Sequence, residues 1–422
     1  MTARCESFEL QNGLRVFMQP DPRIPLVAIN LCYQVGAIHE PPGRTGLAHL
    51  CEHLMFMGTE RVPHFDLLME AVGGSNNAAT SEDRTIYYAI GPGSALSTLL
   101  WLEAERMDGF AQAMSQEKLD LQREVVLNER RQVVDDEPYG RVPILLGDAL
   151  YASPHPYRHP VIGWVEDICA ITVQDVRDFF ERYYAPSNAT LAIVGDFDLD
   201  QSRRELERFF SPIATRPRPL SAPLPPAVLD AERHLRHVDS VPQARLHLAW
   251  HSPSYLQPGD AELDVCCHIL SQGRNARLNR RLMHEQQLAT SVEAVQASGS
   301  ASILLLEFTA GEEVALDTLR AEVDEELRRL CTDGVSQEEL DRARNHIETD
   351  FVRQAQSLQR RADLLNQYQF YANTPEFLEP DRERYRALDT EAVRRSFQAV
   401  LEQPRVVLEV QPLDAAEEQT PV

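Results

Sequence analysis

His49 and His53 stand four residues apart in Gly46-Leu47-Ala48-His49-Leu50-Cys51-Glu52-His53-Leu54-Met55-Phe56, with Glu52 immediately before the second. At about 3.6 residues per turn, a helix puts both imidazoles on one face, one turn apart. Glu52 lies about 60° from His49 on that wheel and flanks the same face. From Thr45 to Thr59 it is the only formally charged side chain; apart from the histidines, the rest are apolar or small. An apolar helix is normally buried. A buried carboxylate beside two imidazoles is costly unless something satisfies them. Two readings are open on these residues alone: core histidines with satisfied ring nitrogens, or ligands of a divalent metal ion.

A zinc site needs a third protein ligand and keeps one position open for water. The helix expected after Ser115 offers Glu117, Glu124 and Glu129. On its wheel Glu129 shares a face with Gln122, Val125, Val126 and Val133. Glu124 lies about 140° away, beside Arg123 and Asp120 on the solvated side. Glu129 is therefore the carboxylate on the apolar face.

The His-x-x-Glu-His order resembles the pitrilysin and mitochondrial-processing-peptidase family of inverted-motif (HxxEH) zinc peptidases, the inverzincins. The resemblance covers nearly the whole chain, with its specific motifs in residues 43–135. It implies Zn²⁺ held by His49, His53 and Glu129, with Glu52 as general base and acid. Glu129 stands 76 positions after His53, close to the family spacing, and Val125-Val126-Leu127-Asn128-Glu129 matches the local pattern. Where the family carries a supporting glutamate seven residues before this ligand, the chain has Gln122. A neutral amide adds no negative charge there, which implies weaker metal binding, by about 10–100-fold for a change of this kind.

Gly73-Gly74, Asn77-Ala78-Ala79-Thr80-Ser81 and Thr85-Ile86-Tyr87-Tyr88 are similar to the family segment that offers an exposed sheet edge to an extended peptide. The resemblance makes Asn77, Ala78 and Ala79 the substrate-binding residues, through main-chain hydrogen bonds to an added strand. Further on, Gly273-Arg274-Asn275-Ala276-Arg277-Leu278-Asn279-Arg280-Arg281-Leu282 resembles the family's second characteristic turn and helix. Self-sufficient members follow that leucine with an arginine and, seven residues later, a tyrosine, which reach the substrate carbonyl across a chamber. Here those positions hold Met283 and Thr290. The implied protein is a zinc endopeptidase for peptides or unfolded proteins, acting as a heterodimer with a homologous second subunit that carries the Arg/Tyr pair. Two other members of the fold are alternatives: a non-catalytic scaffold subunit, and a peptide-binding module that does not cut.

These residues need elements to hold them. The 422 residues exceed one compact core, so two domains are expected. Lys+Arg 41 against Asp+Glu 65 gives −24, which argues against nucleic acid and against an anionic membrane surface, and could steer basic peptides inward. Seven cysteines without a C-x-x-C pair read as buried thiols, Cys266 and Cys267 among them. No apolar run approaches the ~18 residues of a membrane span. No basic-then-apolar leader is visible, so the chain as written reads as cytoplasmic, or periplasmic if a leader has been removed.

Alternation predicts a hairpin over 7–18 with an Asn12-Gly13 turn, and a buried strand within 25–37. Further strands are expected at 85–90, 190–194, 233–239, 244–250, 290–297, 302–309 and 405–410. Helices are expected near 64–72, 94–111, 116–135, 141–150, 173–184, 199–210, 260–271, 314–331, 336–372 and 390–401. Six prolines within 212–226 enforce an extended linker. Strand, strand, apolar helix, strand, long helices recurs after it, offset by about 215 residues. The expected fold is α+β, two duplicated domains, each a mostly antiparallel sheet with helices packed on one face. The division is 1–211 with the metal motif, a linker at 212–229, and 230–422 of the same fold without the motif.

Overall fold

Residues 5–220 and 223–413 are described by the computed structural model. In chain order the elements of the first half are β1 (Glu6–Glu9), β2 (Arg15–Pro20), β3 (Leu26–Tyr33), α1 (Leu47–Leu54), α2 (Phe65–Ala71), β4 (Ser75–Thr80), β5 (Thr85–Pro92), α3 (Leu96–Ala113), α4 (Gln116–Arg130), α5 (Val142–Leu150), α6 (Val165–Ala170), α7 (Val173–Tyr183), β6 (Ala189–Gly195) and α8 (Leu199–Phe210). The second half holds β7 (Arg233–Asp239), β8 (Arg245–Ser252), α9 (Asp260–Ser271), β9 (Ala289–Ala297), β10 (Ser302–Ala310), α10 (Leu316–Asp333), α11 (Gln337–Gln356), α12 (Leu358–Ala372), α13 (Leu378–Arg386), α14 (Thr390–Leu401) and β11 (Val406–Pro412). Among the described residues, no helix or strand falls within the proline-rich stretch from 214 to 230.

Two sheets result. The first runs β1-β2-β6-β3-β5-β4 and the second β7-β11-β8-β10-β9. Neighbours are antiparallel except β2 with β6 and β7 with β11. With β1 set aside, the two orders coincide strand for strand, including the single parallel pair. The duplication seen in element order therefore extends to strand pairing, and the α+β class stands.

Side chains alternate across a strand, and here both faces are covered. One face of the first sheet, with Val16, Met18, Ile29, Leu31, Leu191 and Ile193, shares a core with α1, α3, α7 and α8. The opposite face, with Phe17, Ala28, Ala192 and Val194, meets Leu358, Ala362 and Leu365 of α12. That helix is also fastened by polar groups. Arg361 donates to Gln19 Oε1 at 2.9 Å and to Asp21 Oδ2 at 2.5 Å, and Asn366 donates to Asn30 O at 2.8 Å. Arg84 donates to Asp363 at 3.1 Å, and Tyr371 to Asp83 at 2.8 Å. In the second sheet, Ala249, Val406, Leu408 and Val410 meet Val142, Leu146 and Leu150 of α5. Helices α10 and α14 pack on β8, and α9 on β9. Each sheet thus has the expected layer of helices and one further helix on its other face.

The chain packs into two compact units. One comprises the residues up to Arg130, His159–Pro223 and Phe351–Glu379; the other comprises Arg131–Arg158, Leu224–Asp350 and the chain from Pro380. The contiguous division at 212–229 misses two excursions, which carry α5 into the second unit and α12 into the first. The single helix expected over 336–372 is two helices for the same reason. Ser357 is extended, and its Oγ accepts from Arg360 N at 3.2 Å, capping α12. The expected 116–135 helix is α-helical to Arg130 and π-helical over Arg131–Asp135, where the chain changes unit. All seven cysteines are free thiols; five are buried, Cys331 is half-buried, and Cys169 is exposed, against expectation. Among the described residues no helix is long and apolar enough to cross a membrane.

Candidate metal centre

The start of α1 is fixed by two residues ahead of it. Gly46 caps the helix at φ +85°, and a Cβ there would lie 2.6 Å from Ile162 O, so only glycine fits. Glu40, its side chain wholly buried, accepts from Gly46 N at 2.9 Å and from Ala48 N at 2.8 Å. These are donors that the first helical turn cannot satisfy itself. Burial pushes the Glu40 carboxyl up to about 8, against the lowering by those two N–H groups.

Helix α1 then presents both imidazoles to α4. His49 Nε2 lies 3.3 Å from His53 Nε2. Glu129 Oε2 lies 3.2 Å from His53 Nε2, and Glu129 Oε1 lies 3.8 Å from His49 Nε2. Metal–ligand bonds of about 2.0–2.1 Å at tetrahedral angles set ligand atoms about 3.3–3.4 Å apart. Two of the three separations match that spacing and the third, at 3.8 Å, is longer, so the side chains fit a small divalent cation such as Zn²⁺ after a small closing movement of the Glu129 carboxylate. Among the described residues no other group of three or more His, Cys, Asp or Glu converges this way.

The charges suit the same purpose. Burial, aided by the neighbouring His53, lowers His49 to about 4, so its ring is neutral and free to ligate. Burial also pulls His53 down, but its hydrogen bond to Glu129 and the charge of that carboxylate outweigh it, and the net shift is upward. The same hydrogen bond holds Glu129 below the usual carboxylate range against its own desolvation. His53 and Glu129, hydrogen-bonded to each other here, would hold a divalent cation only with His53 neutral and Glu129 ionised, so binding would be coupled to proton release.

Glu52 is buried, with 8 % of its surface exposed. Desolvation raises its carboxyl, opposed by a hydrogen bond from Thr80 Oγ1 to Glu52 Oε2 at 2.5 Å. Gln122 hydrogen-bonds His53 and donates from Nε2 to Met57 Sδ at 2.8 Å. The apolar face expected around Glu129 is narrower than the wheel implied. Val126 is buried, whereas Val125 and Val133 are 40 % and 50 % exposed.

Asn77, Ala78 and Ala79 lie in β4, which ends the first sheet, so its outer edge has no strand partner among the described residues. Asn77 and Ala79 are exposed and Ala78 is buried; Ala78 N donates to Asn77 Oδ1 at 2.8 Å. Met283 falls in a π-helical segment, Asn279–Glu285, and Thr290 in β9, where its hydroxyl donates to Gln243 Oε1 at 3.4 Å. Both belong to the second unit. Two residues of the site were not anticipated. Glu40 lies six positions before the helix cap, outside any local capping spacing. Thr80 was within reach of alternation, since it shares a strand face with Ala78.

A model of the insulinase family (peptidase family M16) matches residues 15–156, and a model of the peptidase M16 inactive domain matches residues 170–347. The chain is 27% identical over 371 residues to the zinc protease PqqE of Helicobacter pylori, covering 86% of this chain and 83% of that protein. Among solved structures, a protease from Helicobacter pylori superposes with a TM-score of 0.88 at 24% identity, over 98% of this chain and all of that one. The peptidase M16 inactive domain from Pseudomonas fluorescens superposes with a TM-score of 0.87 at 19% identity, over 99% of this chain and 100% of that one.

Proposed function

The chain belongs to peptidase family M16, the insulinase and pitrilysin-like family, and from that premise we propose that it is a zinc metalloendopeptidase. The observation that carries the reading is the convergence of His49 Nε2, His53 Nε2 and a Glu129 oxygen within 4.8 Å of one another. Zinc held there supplies Lewis-acid chemistry to the scissile carbonyl and to the attacking water. Glu52 takes the proton of that water and passes it to the leaving amine, as general base and then acid. Its burial raises the carboxyl toward the range where it can do both. The peptide lies along the free edge of β4 as an added strand, opposite Asn77, Ala78 and Ala79.

In this reading the support behind the metal ligands and the groups that would steady the oxyanion are both incomplete. Gln122 adds no charge behind His53, and Met283 and Thr290 cannot supply a guanidinium and a phenol. A homologous second chain carrying an Arg/Tyr pair completes the enzyme as a heterodimer. The same two positions favour a second reading, in which the chain captures peptides without cutting them.

The test is to purify the chain, load it with zinc, and follow an unstructured peptide mixture by mass spectrometry, with and without a homologous Arg/Tyr-bearing chain. One zinc per chain is expected, with slow cleavage alone and roughly 10²–10³-fold faster cleavage with the partner, the scale of a missing oxyanion donor. Glu52→Gln should keep the zinc and lose about 10²–10⁴-fold in turnover. Full turnover without a second chain sinks the heterodimer; peptides retained but uncut favour capture; no bound zinc ends the metallopeptidase reading.

A further inference from the structure

Glu52 reaches the active face from a helix, and its carboxylate is held by a group from a different element. Thr80 Oγ1 donates to Glu52 Oε2 at 2.5 Å, and the Thr80 main-chain N–H is directed at the same carboxylate. A threonine hydroxyl has one proton to give. The other hydroxyl in reach, Thr85 Oγ1, lies 3.4 Å away but gives its own proton to Val35 O at 2.9 Å. Thr85 can therefore meet Thr80 only as an acceptor, and at 3.4 Å it competes poorly for the proton with the Glu52 carboxylate oxygen at 2.5 Å.

Thr80 is itself well anchored. It is the last residue of β4, paired with Thr85 across the turn to β5. The turn is closed by Ser81 N donating to Arg84 O at 2.9 Å, and by the Ser81 hydroxyl accepting from Arg84 N at 3.1 Å. Two residues of the turn are tied to α12: Asp83 accepts from Tyr371, and Arg84 donates to Asp363. One end of β4 is therefore stiff, and it is the end that touches Glu52.

We propose that Thr80 is a positioning residue for peptide hydrolysis: its hydroxyl fixes the orientation of the Glu52 carboxylate and couples it to the strand that receives the substrate. The inference rests on the reading of Glu52 as general base. A side chain with three rotatable bonds holds reacting geometry only when its own orientation is locked by a neighbour. Displacement of a reacting group by about 1 Å costs on the order of 10²-fold in rate. Because the lock sits on β4, a peptide that pairs along β4 bears directly on it.

The test compares Thr80→Val, Thr80→Ser and Glu52→Gln in the zinc-loaded full-length chain, with the second chain present if turnover requires it. Valine keeps the shape and the strand preference and removes only the hydroxyl. Thr80→Val should retain zinc and KM, lose about 30–100-fold in kcat, and show Glu52 in a changed or divided orientation in a crystal structure. Thr80→Ser should recover most of the rate. A kcat for Thr80→Val within about twofold of the parent, with Glu52→Gln inactive, overturns the proposal while leaving the general base in place. Equal losses in Thr80→Val and Thr80→Ser also overturn it, since the hydroxyl would not be the cause. An active Glu52→Gln removes the base and the positioning role together. The crystallographic arm decides without turnover: an unchanged single Glu52 orientation in Thr80→Val rejects the lock.

Discussion

Gln122 sits where one added charge would be felt by His53 directly, since the two side chains are hydrogen-bonded. A carboxylate there strengthens the imidazole as a ligand, and partners of this kind alter metal affinity by about 10–100-fold. Gln122→Glu should therefore tighten zinc by about tenfold or more, measured by competition with a chromogenic chelator; unchanged affinity would place the amide outside the metal's influence. At this scale the sequence was informative where the chemistry is local. His49, Glu52 and His53 follow from spacing on one short apolar helix. Glu129 needed both its wheel position and its distance from His53. Glu40 was hidden because its partners, the Gly46 and Ala48 N–H groups, are brought near only by tertiary packing; for Thr80 the strand face was readable, but its contact with Glu52 was not.

Among the elements, α1 depends on a carboxylate outside itself. Glu40→Ala would leave the Gly46 and Ala48 N–H groups buried without acceptors, a loss of about 2–3 kcal/mol. Urea denaturation should show it as a lower midpoint, and zinc should bind more weakly because the first turn of α1 frays; unaltered stability would mean water replaces the carboxylate. A second clamp joins the turn after α9 to α11. Arg277 donates to both oxygens of Glu339 at 2.6 and 2.8 Å, and Ser336 N adds a third bond. Burial opposes ionisation, but these donors outweigh it and bring Glu339 down to about 2. The folded carboxyl holds its proton less tightly than the unfolded one, near 4.3. The clamp thus stabilises the fold above about pH 4.3 and loses that contribution as pH falls toward 2. Arg277→Ala should cost roughly 1–3 kcal/mol at neutral pH and flatten stability between those values, read from denaturant titrations at several pH values. A parallel shift at every pH would assign the loss to packing instead. The break between α11 and α12 marks the limit of pattern reading. Ser357 lies among residues that favour a helix, with no glycine or proline near it, and only its cap geometry in three dimensions separates the two.

At the scale of the molecule, duplication was legible as repeated element order, because each half carries its own alternating strands. The exchange of α5 and α12 was not, because it is decided by which sheet face remains uncovered after the local helices have packed. It makes a specific prediction for a fragment. Residues 1–211 alone would leave Phe17, Ala28, Ala192 and Val194 bare and Asn30 and Gln19 without their partners on α12. Such a patch favours association. The fragment should aggregate or bind a hydrophobic dye, and a peptide spanning 351–379 should suppress both; a stable monomeric fragment would show that α12 is dispensable. The same exchange also sets a timetable for the ribosome. The sheet that carries β4 and supports α1 stays open on one face until residue 372 of 422 has been made. The half that brings His49, His53 and Glu129 together therefore cannot cover this face of its sheet until most of the other half has emerged.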